Sequence, residues 1–135
     1  MSKRIVIIGG VAAGASAAAK ARRVSEDVEI VLVEAGKYVS FANCGLPYYV
    51  GGEIARREDL FVVTPQMFRS RFDIDVRCET VAAAVDPRRK CVTLVHAGDS
   101  QELQYDRLIL ATGTKAVIPP IPGLDKAGMF TVRTV

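Results

Sequence analysis

Cys44 lies within Ser40-Phe41-Ala42-Asn43-Cys44-Gly45-Leu46-Pro47-Tyr48-Tyr49, a setting suited to a reactive thiol. Gly45-Leu46-Pro47 reads as the first turn of a helix, where proline's missing N–H is not needed. A thiol at a helix N-terminus faces unpaired N–H groups, which favour the thiolate. The thiolate is the nucleophile of disulfide exchange, so the pattern points to covalent sulfur chemistry. Free cysteines also serve as small buried apolar residues. Cys78 and Cys91, in strand-like segments, read that way.

A second chemical pattern precedes the first. Gly9-Gly10-Val11-Ala12-Ala13-Gly14 follows the apolar run Ile5-Val6-Ile7-Ile8 and opens an alanine-rich segment, and Glu34 stands twenty residues after Gly14. This is the context of a dinucleotide fingerprint. Gly9 permits the tight turn, Gly14 lets the helix pack on the strands, and the helix N-terminus receives a pyrophosphate. Glu34 would accept hydrogen bonds from ribose hydroxyls, and its charge disfavours a phosphorylated ribose. Val11 occupies the position of the usual middle glycine. A glycine-rich turn with no ligand is the alternative.

Both patterns need rigid elements to hold them. The 135-residue chain is long enough for one domain with a real core, and 50% apolar content fits a globular protein. A net charge of +3 is too mild to suggest a nucleic-acid partner. Three cysteines at these spacings match neither a zinc site nor a disulfide framework, which points to a reducing cytoplasm. Met1-Ser2-Lys3-Arg4 and the apolar run to Ala19 imitate a secretory signal. The glycines inside that run, and its charged continuation through Lys20 and Arg23, favour a strand, a turn and a helix instead. No stretch is long and apolar enough to span a bilayer.

The patterning predicts a strand over 4–8, a helix over 15–24 and a strand over 28–33, a βαβ-type beginning. Gly51-Gly52 ends the helix after the cysteine, and Thr64, as N-cap to Pro65, opens another through Arg71. Residues 76–85, 90–96 and 102–105 read as a β-meander with turns at 86–89 and 97–100. Leu108-Ile109-Leu110 reads as a buried strand stopping at Ala111-Thr112-Gly113, and the proline-rich 118–123 as an extended linker. His96, the single histidine, falls near a turn and reads as a surface residue.

The ten positions 40–49 resemble the active-site segment of the coenzyme A disulfide reductases, a single-cysteine branch of the FAD- and pyridine-nucleotide-dependent disulfide oxidoreductases. The NADH-dependent persulfide reductases share that segment. The resemblance covers essentially the whole chain, including Gly10-Val11-Ala12, where the branch looks the same. It implies an α/β fold: a Rossmann-like FAD-binding domain whose parallel sheet carries an inserted antiparallel β-meander. Residues 1–114 would form the N-terminal part of a split FAD domain, and 115–135 a linker toward an NAD(P)H-binding domain beyond the chain.

The resemblance further implies that FAD is held by Gly9, Gly10, Val11, Ala12 and Gly14, and by Glu34, Ala35 and Asn43. Val81 and Ala82 of the meander and Ala111-Thr112-Gly113 would complete the site, with NADH or NADPH as reductant. Two-cysteine members of the superfamily carry a second thiol where this chain has Tyr49, so Cys44 would be catalytic alone. It would cycle through a mixed disulfide or persulfide with its substrate, or through a sulfenic acid. Coenzyme A binding is implied for Ser16, Lys20, Arg23, Ser40 and Asn43, and for Arg71, which neighbours a basic family position occupied here by Phe72. Lys20 and Arg23, three apart on one helix, share a face. Cations held away from the sulfur suit the phosphates of coenzyme A, although a solvated helix end would look alike.

The related NADH oxidases and peroxidases are the second possibility. They typically read Ser-Phe-Leu-Ser-Cys-Gly and carry a histidine in the glycine turn, whereas this chain has Ala42-Asn43 and Ala12. The resemblance also implies a homodimeric parent protein in which the partner subunit assists at the cysteine. From a different class, the chain reads as a non-catalytic nucleotide-binding module.

Overall fold

A computed structural model describes residues 2–135. β1 (Arg4–Ile8), β2 (Glu29–Val33), β3 (Ile74–Arg77) and β7 (Arg107–Leu110) form a parallel sheet in the order β3-β2-β1-β7. Side chains alternate across a strand, and here both faces are apolar. Ile7, Ile30 and Leu32 meet Ala15 and Ala18 of α1 (Ala13–Val24) and Phe68 of α3 (Pro65–Phe72). Val6, Ile8, Val31 and Val33 face Val92, Leu94 and Leu103 on the other side. These last three belong to a separate antiparallel sheet of β4 (Thr80–Asp86), β5 (Cys91–His96) and β6 (Asp99–Gln104). Cover on both faces explains why the central strands read as continuous apolar runs.

The helices end where their chemistry says they should. The Thr64 hydroxyl accepts the Met67 N–H at 3.2 Å, and Asp73 closes α3 in the left-handed region at φ 47°. Arg22, near the end of α1, donates to the carbonyls of Phe72 (2.7 Å) and Asp73 (2.8 Å), which fastens the two helix ends together.

Three boundaries differ from expectation by two residues or more. The run 76–85, read as one meander strand, is two: Val76 and Arg77 finish the parallel sheet, and β4 begins only at Thr80. Glu79 reverses the chain between them at φ 52°. The first helix starts two residues earlier than expected, since α1 begins at Ala13. The hairpin turn expected over 97–100 contracts to Ala97-Gly98, both at positive φ (50° and 91°), and β6 starts at Asp99. That is the tight geometry whose twist matches a β-ribbon.

Residues 111–135 contain no strand or helix. The end of the segment read as a linker nevertheless returns to the domain, where Val135 packs on the cluster Phe41, Leu46 and Leu60. Among the described residues, no helix is long and apolar enough to cross a membrane.

Candidate functional site

β1 sits between β2 and β7, so the chain leaves the sheet in opposite directions at its centre. Ligands of open α/β sheets bind at such a point, beyond the carboxyl ends of the strands. A cleft of about 620 Å³ opens there. Gly9, Val11 and Ala12 line it from the end of β1, Glu34 and Ala35 from β2, and Ala111, Thr112 and Gly113 from β7.

Backbone contacts make this cleft. Gly9 has φ +99°, and a Cβ there would lie 2.1 Å from the Ala111 carbonyl oxygen. Only glycine lets the exits of β1 and β7 approach so closely. A Cβ on Gly14 would lie 1.7 Å from the Gly9 oxygen, so this glycine seats α1 on the turn. The Glu34 carboxylate accepts the Gly10 N–H on one oxygen and the Gly36 N–H on the other, both at 2.7 Å. α1 has no capping side chain and no acidic residue in its first turn. Its unpaired N–H groups and the positive end of its dipole therefore remain available at Ala12 and Ala13, which line the cleft. An anionic phosphate bridge fits this end, and the carboxylate of Glu34 fits the hydroxyls of an adjoining sugar. The residues present suit a dinucleotide.

Four residues of the expected set are placed differently. Gly10 and Gly14 shape the cleft without lining it, and neither Val81 nor Ala82 reaches it. Val81 is exposed, and Ala82 packs toward Val92 and Leu94 in the core between the sheets. The meander instead touches the Glu34 loop through backbone: the Thr80 N–H donates to the Glu34 carbonyl and the Glu79 N–H to that of Gly36, each at 3.0 Å.

Tyr38, Arg133 and Thr134 line the cleft without any signal in the sequence patterns, and Phe41 of the cysteine segment lines it with them. Tyr38 stacks at 5.0 Å on Phe61 under the Arg57 guanidinium, 4.8 Å from its ring. The neighbouring Arg57 guanidinium holds its phenol below the usual range. Arg133 donates to the Thr114 carbonyl at 2.9 Å. With the Asn43 amide turned so that its NH₂ faces the Phe41 carbonyl (3.2 Å), its oxygen accepts from Arg133 at 2.9 Å. No local motif announces Arg133; it reaches the site from the far end of the chain.

Cys44 follows directly on Asn43. It sits in a 3₁₀ turn, Asn43–Gly45, that leads into the five-residue helix α2 (Leu46–Val50), and its thiol is exposed. The turn is held from the loop before α3. Phe41 and Phe61 form an antiparallel bridge, flanked by Ala42 N–H to Leu60 O and Val62 N–H to Ser40 O, both at 2.8 Å. A Cβ on Gly45 would come within 2.9 Å of the Leu60 side chain, which explains the glycine after the cysteine. Val11 packs on the same apolar cluster of Phe41, Leu46 and Leu60. The missing middle glycine of the fingerprint is thus a packing contact between the glycine turn and the cysteine segment.

A groove of about 390 Å³ shares Val11, Ala12 and Phe41 with the cleft and runs along α1. Ser16, Arg23 and Ser40 line it, whereas Lys20 and Arg71 are exposed outside it and Asn43 faces the dinucleotide cleft instead. Phe72, beside Arg71, contributes an apolar wall together with Val63 and Phe68.

The other thiols lie apart: Cys91 is buried in β5, and Cys78 is half-buried beyond β3. Burial, followed by the charge of Glu34, holds Cys78 above the ordinary thiol range. Among the described residues, no group of three or more His, Cys, Asp or Glu could hold a metal ion.

Residues 3–135 match the family model described as pyridine nucleotide-disulphide oxidoreductase. An NADH oxidase of Methanocaldococcus jannaschii is 37% identical over 133 residues, 98% of this chain and 30% of that relative. A coenzyme A disulfide reductase of Staphylococcus haemolyticus is 36% identical over 135 residues, with the same shares of each chain. The solved structure of reduced CoADR-RHD from Bacillus anthracis superposes with a TM-score of 0.93 at 44% identity, over 100% of this chain and 25% of that one. A NAD-dependent persulfide reductase from A. fulgidus gives 0.87 at 45% identity, over 93% of this chain and 24% of that one. The chain thus spans about 30% of the length of the curated relatives it matches. It belongs to the pyridine nucleotide-disulphide oxidoreductase family, whose members use FAD and a nicotinamide nucleotide.

Proposed function

We propose that this chain is the FAD-holding and thiol-bearing portion of an oxidoreductase that reduces coenzyme A disulfide, or a related persulfide, with NADH or NADPH through Cys44. The observation that carries the reading is the shared wall. The cleft that suits a dinucleotide and the groove bearing Ser16, Arg23 and Ser40 meet at Val11, Ala12 and Phe41; the exposed Cys44 lines neither cavity and follows Phe41 by three residues in the chain. In this reading Gly9, Val11, Ala12, Glu34, Ala35, Asn43 and the Ala111-Thr112-Gly113 backbone hold FAD. When bound, the flavin supplies the two electrons that return a mixed disulfide to its thiols. The Cys44 thiolate attacks one sulfur of the substrate disulfide, the S–S bond breaks, and the departing thiolate takes a proton from water. Arg23 and the two serines orient the substrate's polar groups along α1, while the apolar walls keep water from its carbon chain. The working protein is a homodimer of the reducing cytoplasm in this reading.

Cys44→Ser in the longer parent protein should abolish NAD(P)H-dependent reduction of coenzyme A disulfide, because serine cannot form or release a disulfide. Bleaching of the flavin absorbance by NADH should survive. In an alkylation time course near neutral pH, Cys44 should react first and buried Cys91 last. Cys78, held above the ordinary thiol range, should react appreciably only as the pH is raised. Disulfide reduction persisting in Cys44→Ser, or equal labelling of the three thiols, sinks the mechanism. An oxidase activity, suggested by the Methanocaldococcus relative, would need a proton donor at the sulfur, and the single histidine, His96, lines a different cleft.

A further inference from the structure

We propose that this second cleft, on the outer side of β3, binds a small organic anion: a phosphate or carboxylate on a compact apolar skeleton. It measures about 450 Å³ and shares no lining residue with either the dinucleotide cleft or the groove along α1. Arg69 from α3, Arg77 from β3 and His96 from β5 converge on it, against a single acidic lining residue, Asp99. Basic side chains from three separate elements do not gather on one cavity by helical or strand periodicity; the tertiary fold brings them there.

Their committed bonds leave the right groups over. Arg69 uses one guanidinium nitrogen on the Val76 carbonyl, and Arg77 uses Nε on Asp75 at 2.9 Å. The remaining N–H donors of both forks have no protein partner among the described residues, and such forks pair with carboxylate or phosphate. The His96 Nδ1 donates to the Glu79 carbonyl at 3.0 Å, which fixes the ring and leaves Nε2 as an acceptor for a ligand hydroxyl, so the two arginine forks carry the anion. Val76 and Leu94, both buried, and the half-buried Cys78 supply the apolar floor. A charged rim over an apolar floor fits a ligand with one anionic end and one apolar body.

The test is an NMR titration of the backbone amides at constant ionic strength with phenyl phosphate, with benzoate as the carboxylate arm and phenol as the neutral control. Phenyl phosphate, benzoate or both should give saturable shifts at Cys78, Thr80 and Leu94, and the arm that saturates identifies the anion. Arg69→Gln and Arg77→Gln, made singly so that each loses one fork, should each weaken that binding about tenfold. Phenol should be inert. The proposal is overturned if neither anion approaches saturation at roughly 10 mM, if phenol shifts the same amides equally, or if the shifts fall only on the Gly9–Gly14 turn. Unchanged affinity in both variants overturns it as well.

Discussion

The dinucleotide cleft and the cysteine turn are neighbours built in opposite ways. The cleft is made of backbone: Gly9 against Ala111, Gly14 against Gly9, and two N–H groups closed onto Glu34. The turn is made of side chains and borrowed strands: Leu60 under Gly45, Phe61 bridged to Phe41, and Val11 reaching across from the glycine turn. A site made of backbone tolerates few residue types and leaves a short, recognisable string. A site held by packing can be met by many sequences, and its supports lie in a loop without a motif.

The sharpest way to break the cleft is Gly9→Ala. The new Cβ would need the space of the Ala111 carbonyl at a φ of +99°. Strain and overpacking together should cost on the order of 2–5 kcal/mol in urea unfolding. A loss below about 0.5 kcal/mol, the size of an ordinary surface change, would show that the strand exits are not in fact pressed together.

Leu60→Ala attacks the other construction. Leu60 is fully buried beneath the cysteine turn, so its truncation should cost about 2–4 kcal/mol. Cys44 alkylation should change while nucleotide retention persists in the folded fraction. If retention and alkylation fall together, the two regions are one construction and the contrast fails.

Glu34→Ala is the complement, with the smallest effect. Removing a carboxylate that accepts two N–H groups should weaken FAD retention at least tenfold, about 1.5–3 kcal/mol. Cys44 labelling should not move. Equal flavin content in purified wild type and variant would remove Glu34 from the site.

The same contrast explains what the sequence made legible. β1 and β2 follow from short β-branched runs, and α3 from Thr64-Pro65, because those signals are local; β7 forms over the expected residues, but as a sheet edge with Leu110 exposed rather than as a buried strand. The split between β3 and β4 was hidden because the left-handed reversal falls on Glu79, a residue type that does not advertise positive φ. Within the site, Gly9, Glu34 and Ala111-Thr112-Gly113 could be read from strand ends, where such sheets bind ligands. Val81 and Ala82 stand outside the cleft lining, since the side a meander residue faces is set by its pairing partners rather than by composition. Arg133 could not be read at all: its partners, Asn43 and Thr114, become neighbours only after the terminal segment folds back.

Ser40 shows how the two constructions share one joint. Its N–H donates to the Gly10 carbonyl at 2.9 Å, its own carbonyl accepts the Val62 N–H at 2.8 Å, and it is buried in the left-handed region at φ 48°. One residue therefore links the glycine turn to the loop that supports Cys44 through its two flanking peptide groups. In native-state hydrogen exchange the amides of Ser40 and Val62 should open as a single cooperative unit, with one free energy and one denaturant dependence. Separate opening energies for these two amides would mean that the link gives way in two steps. A single one makes the thiol's surroundings only as stable as the turn that receives the nucleotide.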